Sequence, residues 1–239
     1  MKRLTLLVMC LVNVAANGQG LNVAWSRFVP VFDPCNYPLV YQTFEGGFDH
    51  GETWFTSGTG SIDPAYGGGP LQGTNSLHII LASQTGWITN NFAPSDETWV
   101  YLLFRITNTP TFNCRILAME GNNPSSCVTY IDSSWRLVAS DSVSQATVGT
   151  ITSNTTYHVW FHRKKGNGAS SIVDVGFSTN GVRPTSGNNF AQRTDGNRTQ
   201  PVFTVGIPST QSEGNVTRNV MYDKIIVSNC QIGDQTNPP

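Results

Sequence analysis

The sequence predicts an all-β fold, an antiparallel sandwich of two sheets. Three observations carry that prediction. Charged residues make up 12% of the 239, with only four Lys and five Glu, too few to clothe helix surfaces. Apolar residues recur with period two in one segment after another. Gly, Asn, Ser and Pro then punctuate the chain at the short intervals that separate strands. With 38% hydrophobic and 10% aromatic residues, the chain can fill a sizeable core, and its length suits one undivided sandwich.

Residues 1–18 read as a secretory signal. Lys2 and Arg3 precede an apolar stretch, 4–16, broken by Thr5 and Asn13, and small residues permit cleavage after Ala16 or Gly18. That stretch is too short to span a bilayer, and no later segment approaches a membrane span. Met9 is too bulky to make Cys10 a lipoprotein site. The expected location is therefore outside the cytoplasm, extracellular or periplasmic. Cys10 leaves with the signal, and four cysteines remain: Cys35, Cys114, Cys127 and Cys230. An oxidising compartment favours two disulfides, for which three connectivities exist. Cys114 with Cys127 would staple neighbouring strands, and Cys35 with Cys230 would join the two ends of the domain. The spacings match no zinc pattern.

Residues 19–37, with Pro30 and Pro34, form a lead-in, the sandwich domain is expected over 38–230, and 231–239 is a tail. Strands are expected at 39–44, 76–81, 87–92, 99–107, 115–120, 128–131 and 135–139. They continue at 146–151, 157–164, 171–178, 202–207 and 220–228. In 99–106 one face carries Val100, Leu102, Phe104 and Ile106. In 157–163 it carries Tyr157, Val159 and Phe161, and in 171–177 Val173, Val175 and Phe177. Asn167-Gly168 and Asn180-Gly181 are turn dipeptides. The glycine-rich stretch 58–73 and the polar stretch 179–199 are expected as long loops, which in compact domains tend to serve function.

The run Phe44-Glu45-Gly46-Gly47-Phe48-Asp49, then Trp54, then Gly73-Thr74-Asn75-Ser76-Leu77 resembles the opening of a laminin-G-like, concanavalin A-like domain. Tyr157-His158-Val159-Trp160-Phe161 with Ile172 to Phe177 is similar to that family's central hairpin, and 222–228 to its final strand. The resemblance covers roughly 38–230, leans towards secreted bacterial members, and implies a jelly-roll sandwich. The group includes sugar-binding lectins, glycoside hydrolases, polysaccharide lyases and adhesive modules, so fold leaves the function open.

The chemistry-bearing residues narrow the choice. A retaining glycosidase needs two carboxylates about 5 Å apart, which an E-x-D-x-x-E strand supplies. None of Glu45, Glu52, Glu97, Glu120 and Glu213 has a carboxylate two positions away. A lyase needs a Tyr or His to move a proton and a cation or amide to hold a uronic carboxyl. Its R-x-E-x-R and Q-x-H strand signatures are missing. Ser catalysis lacks a G-x-S-x-G elbow. Alternation nevertheless places Trp99, Tyr101 and Arg105 opposite the core set of their strand, with His158, Trp160 and His162 and then Asp174 likewise. If these strands share the concave sheet, as the family topology implies, they line a groove of aromatic and polar groups suited to sugar rings. The competing reading covers Trp160 and Tyr101 with the long loops.

A net charge of −1 with no basic stripe argues against nucleic acid. Calcium is the one cofactor left open, with Asp49, Glu52 and Asp63 in suitable loops but no EF-hand run. Sequons at Asn154, Asn197 and Asn215 matter only in a glycosylating source. The expected function is a secreted, monomeric, non-catalytic binding or adhesive module for an extracellular glycan. A polysaccharide-cleaving enzyme, or an extracellular structural protein, is the alternative.

Overall fold

The computed structural model describes residues 38–48, 53–58, 61–81, 86–107, 113–120, 127–140, 145–194, 196–207 and 218–236. The expected signal and lead-in lie outside them, as do Asp49 and Glu52. The first strands are β1 (Val40–Gln42), β2 (Trp54–Gly58), β3 (Ser61–Tyr66), β4 (Ser76–Leu81), β5 (Gly86–Ser95) and β6 (Glu97–Ile106). Next come β7 (Cys114–Glu120), β8 (Cys127–Ile131), β9 (Arg136–Ser140), β10 (Gln145–Thr150) and β11 (Tyr157–Lys164). The chain then forms β12 (Gly166–Asn167), β13 (Ile172–Ser178), β14 (Phe190–Arg193), β15 (Asn197–Arg198), β16 (Val202–Ile207) and β17 (Arg218–Ser228).

These strands build two antiparallel sheets. One has eight strands in the order β14-β13-β11-β6-β17-β4-β3, with β1 also paired to β17; the other has seven, β10-β9-β8-β7-β16-β5-β2. The period-two sets meet between the sheets. Val100, Leu102, Phe104 and Ile106 of β6, Val159 and Phe161 of β11, and Val173, Val175 and Phe177 of β13 share one buried cluster. Ile116, Met119, Leu137, Ala139, Ile88 and Val205 of the opposite sheet complete it. This matches the sandwich expected from the sequence. Among the described residues no helix is long and apolar enough to cross a membrane.

Two stretches expected as loops carry strands. β3 lies within 58–73, and Pro64 fits it because β3 is an edge strand whose register shifts between Asp63 and Tyr66; an edge or bulge spares the missing N–H. Within 179–199, β14 extends the edge of the large sheet along β13. β1 pairs with β17 from Val40 opposite Val227, so the first and last described strands lie side by side.

The expected Cys114–Cys127 bridge is not formed. β7 and β8 are neighbours, but Cys114 stands opposite Ile131 and Cys127 opposite Met119, at opposite ends of the ladder. At about 3.3 Å per residue the two are about 13 Å apart or more, beyond the reach of roughly 7 Å for a disulfide. Cys127 lies instead beside the buried guanidiniums of Arg163 and Arg198, and burial pushes its thiol pKa up. The expected Cys35–Cys230 bridge involves Cys35, outside the described residues.

Candidate functional site

The large sheet has a second face, turned away from the sandwich core. All seven residues singled out by alternation lie on it, because β6, β11 and β13 are neighbours in one register. Trp160 stands opposite Tyr101, and His162 opposite both Trp99 and Asp174. They do not form one open groove. They divide into a sealed end, a capped centre and an open end.

At the sealed end the His162 ring lies flat on Trp99, with centroids 3.7 Å apart and planes within 6°. Its Nδ1 is 2.8 Å from Asp174 Oδ2 and its Nε2 3.1 Å from Glu97 Oε1. Arg183 packs 4.5 Å over the Trp99 ring and sits 3.6 Å from Asp174. In the centre, Trp160 is 1% exposed and donates through Nε1 to the Gly233 carbonyl at 3.0 Å. Ile232 packs with Trp99, Tyr101, Leu103 and Trp160 in a small outer cluster. Arg105 donates to the Gly69 carbonyl at 2.5 Å and holds the glycine-rich loop. Among the described residues, the long loops reach these aromatics through Leu71 and Arg183; the cover over Trp160 comes from Ile232 and Gly233 of the segment after β17, which the loop expectation did not include.

The open end is a cleft crossing β1, β17, β6 and β11. One opening, about 350 Å³, is lined by Tyr41, Thr43, Glu45, Gln72, Gly73, Asp223 and Lys224. A second, about 230 Å³, includes Gln72, Tyr101, Leu103, Thr156, His158 and Lys224 in its lining. Gln72 and Lys224 line both, so the two openings adjoin. Three residues foreseen from alternation bear on it: Tyr101 and His158 line it, and Arg105 braces its loop. Asp223, Lys224, Gln72 and Tyr41 were not foreseen.

The missing signal was a bulge. Along β17, Val220 and Tyr222 face the core, then Ile225 and Val227 do. The parity changes because the register with β6 shifts between Asp223 and Ile226, with Lys224 at φ +45°. A non-glycine residue in the left-handed region costs energy and is found where the surrounding structure holds it, and bulges gather beside functional sites. Two adjacent charges inside an apolar strand, Asp223-Lys224, were the trace of it in the sequence.

The cleft has a defined electrostatic state. Burial pushes Asp223 up to about 6, against hydrogen bonds from Ser76 Oγ at 2.8 Å, Gln72 N at 3.0 Å and Lys224 N at 2.7 Å. Burial pulls Lys224 down, partly offset by Asp223. Burial, then the Lys224 charge, pulls His158 down, so its ring is neutral at pH 7. Burial, then Asp223, pushes the Tyr101 phenol up. A protonated phenol beside a neutral ring sets the direction of their 2.8 Å contact: Tyr101 OH donates to His158 Nδ1. The second ring nitrogen then carries the proton. Glu45 is committed elsewhere, accepting from Thr74 N and Oγ1. Asp63, considered for calcium, accepts from Ala65 N at 3.0 Å, and no group of three metal-binding side chains occurs among the described residues.

By sequence, no family model and no curated protein matches this chain. Solved structures are similar in fold. An endo-β-1,4-glucuronan lyase from the fungus Trichoderma reesei superposes with a TM-score of 0.59 at 13% identity, covering 80% of this chain and 95% of the lyase. The cellulose-induced protein Cip1 gives 0.59 at 14% identity, covering 81% and 99%. The alginate lyase Aly36B gives 0.52 at 12%, covering 83% and 99%. At these identities the likeness is one of fold.

Proposed function

We propose that this chain is an exported carbohydrate-binding module whose ligand lies in the cleft across the outer face of the large sheet. The observation that carries the reading is that two openings adjoin on this face and share Gln72 and Lys224. A half-buried Tyr41 ring offers a face for sugar C–H groups. Lys224, His158 and Gln72 offer hydrogen-bonding groups within the same span, and a few placed polar groups in a concave site are what orient a small ligand. The fold shared with two polysaccharide lyases and a cellulose-induced protein supports a glycan as the ligand class.

The test is a glycan array followed by calorimetric titration of each hit. Lys224→Asn keeps a residue tolerant of the left-handed backbone and removes the ammonium. It is expected to weaken binding about tenfold, the value of one charged hydrogen bond. An array with no hit, or an unchanged affinity in this variant, overturns the reading.

A second reading rests on the Tyr101–His158 pair. A neutral imidazole hydrogen-bonded to a protonated phenol, with an ammonium nearby, is an acid–base set able to work on a uronic acid. With the Tyr101 hydroxyl turned from His158 Nδ1 towards the departing sugar oxygen, the freed Nδ1 lone pair would take the proton beside the carboxyl, Lys224 would hold the carboxylate, and Tyr101 would protonate that oxygen as the double bond forms. Incubation with glucuronan or alginate separates the two readings: new ultraviolet absorbance from an unsaturated uronate, lost in His158→Ala, makes the protein a lyase. Binding with no such product leaves it a module.

A further inference from the structure

Gln72 and Lys224, which line both openings, come from distant parts of the chain. One lies in the loop between β3 and β4, the other in the bulge of β17. A single side chain holds both by their backbone. Asp223 Oδ2 accepts from Gln72 N at 3.0 Å, and Asp223 Oδ1 accepts from Lys224 N at 2.7 Å. Oδ2 also accepts from Ser76 Oγ at 2.8 Å, and that hydroxyl accepts from Leu71 N at 2.8 Å. Loop, β4 and bulge thus meet on one carboxyl group, which is 1% exposed.

Three donors occupy most of the roughly four acceptor sites of a carboxylate. Hydrogen bonds to an ionised acceptor are about twice as strong as neutral ones. Protonation of Asp223 therefore slackens all three anchors together.

Resting on the glycan reading above, we propose that Asp223 is the positioning residue of the cleft: its carboxylate fixes Gln72 against Lys224 and so sets the spacing on which the ligand is held. Burial has pushed this group up to about 6, so the anchor changes strength within an ordinary pH range. The groups facing it are Lys224 beside it, Tyr101 of β6 and Glu45 of the segment after β1, with His158 of β11 beyond Lys224. One proton then acts on folding and on binding in opposite directions. It stabilises the fold, because the folded value lies above the ordinary 3.8. It weakens the ligand site, because it slackens what holds Gln72 and Lys224.

Calorimetric titration across pH tests this on the full chain. The probes are hexamers of β-1,4-linked glucose, of β-1,4-linked glucuronate and of alginate; the glucose hexamer carries no titrating group. Wild-type affinity is expected to fall about tenfold from about pH 7 to about pH 5, as a group near 6 goes from mostly ionised to mostly protonated. Asp223→Asn keeps the shape and fixes the neutral state. It is expected to bind about tenfold more weakly than wild type at about pH 7 and to lose this fall. Any pH dependence left in the variant belongs to His158, Lys224 or the ligand. A merely structural role would lower affinity and stability together, whereas here wild type gains stability over Asp223→Asn at the lower pH while its affinity drops. A variant that binds as tightly as wild type at the higher pH, or an affinity that falls no more in wild type than in the variant, overturns the inference and leaves the glycan reading standing. A flat wild-type profile does so without the variant. Failure of every probe to bind removes both.

Discussion

The two faces of the eight-stranded sheet are buried to nearly the same degree by different means. On β6 the inward set, Val100, Leu102, Phe104 and Ile106, is at most 1% exposed. The outward Trp99, Tyr101 and Leu103 are at most 6% exposed. Inward side chains are covered by a whole second sheet. Outward ones are covered by a loop residue, Leu71, by Arg183, and by Ile232 of the tail. A sheet on a sheet opens only when the domain unfolds, whereas a single segment held by a few hydrogen bonds opens locally at smaller cost. The inner face is thus the foundation, and the outer face is where covered and open surface can be divided into a site.

The largest expected effect lies on the inner face. Phe161 is fully buried between the sheets, and Phe161→Ala should destabilise by about 3–5 kcal/mol through lost transfer energy and the cavity left behind. Urea denaturation reads this directly. A loss below about 1 kcal/mol would show that the inner face is loosely packed and would reverse the contrast drawn here.

Asp223 measures how dry the open end is. Its folded value of about 6 against an ordinary 3.8 means that the folded state binds more protons than the unfolded state between those two values. Stability therefore falls as pH rises across that window, and above pH 6 the full cost is present, up to about 3 kcal/mol at roughly 1.4 per unit. Asp223→Asn removes this share of the pH dependence. The check is the difference in unfolding free energy between wild type and variant from about pH 4 to about pH 7. A difference that stays constant over that range would mean that water reaches the carboxylate and the cleft floor is wet.

The inner face was legible in the sequence because its cause is local: residues two apart share a face, whatever the rest of the chain does. Alternation even places Arg163 inward after Phe161, and the structure buries it fully. The outer seven were legible only as co-facial. What covers Trp160 is Gly233, 73 residues away, and no periodicity reports a partner at that distance. The bulge at Asp223-Lys224 hid the cleft floor, since it interrupts the very alternation used to assign faces. β3 was obscured by Pro64, because a proline reads as loop until its strand is known to be an edge. The Cys114–Cys127 pairing failed for want of register: adjacency of two strands does not say which residues stand opposite.

The smallest expected effect separates the two kinds of burial most sharply. Trp160→Phe keeps an aromatic ring in the outer cluster and deletes only the donor to the Gly233 carbonyl, worth about 1 kcal/mol. If the outer cover is a local segment, this change acts on the segment. The Gln235 amide, bonded to the Gly181 carbonyl, should exchange with solvent about fivefold faster, while the amides of β6 and β11 keep their protection. Equal acceleration in the central strands would mean that the tail opens only with the whole domain. The outer face would then be a second core, its cover as permanent as the sheet beneath it.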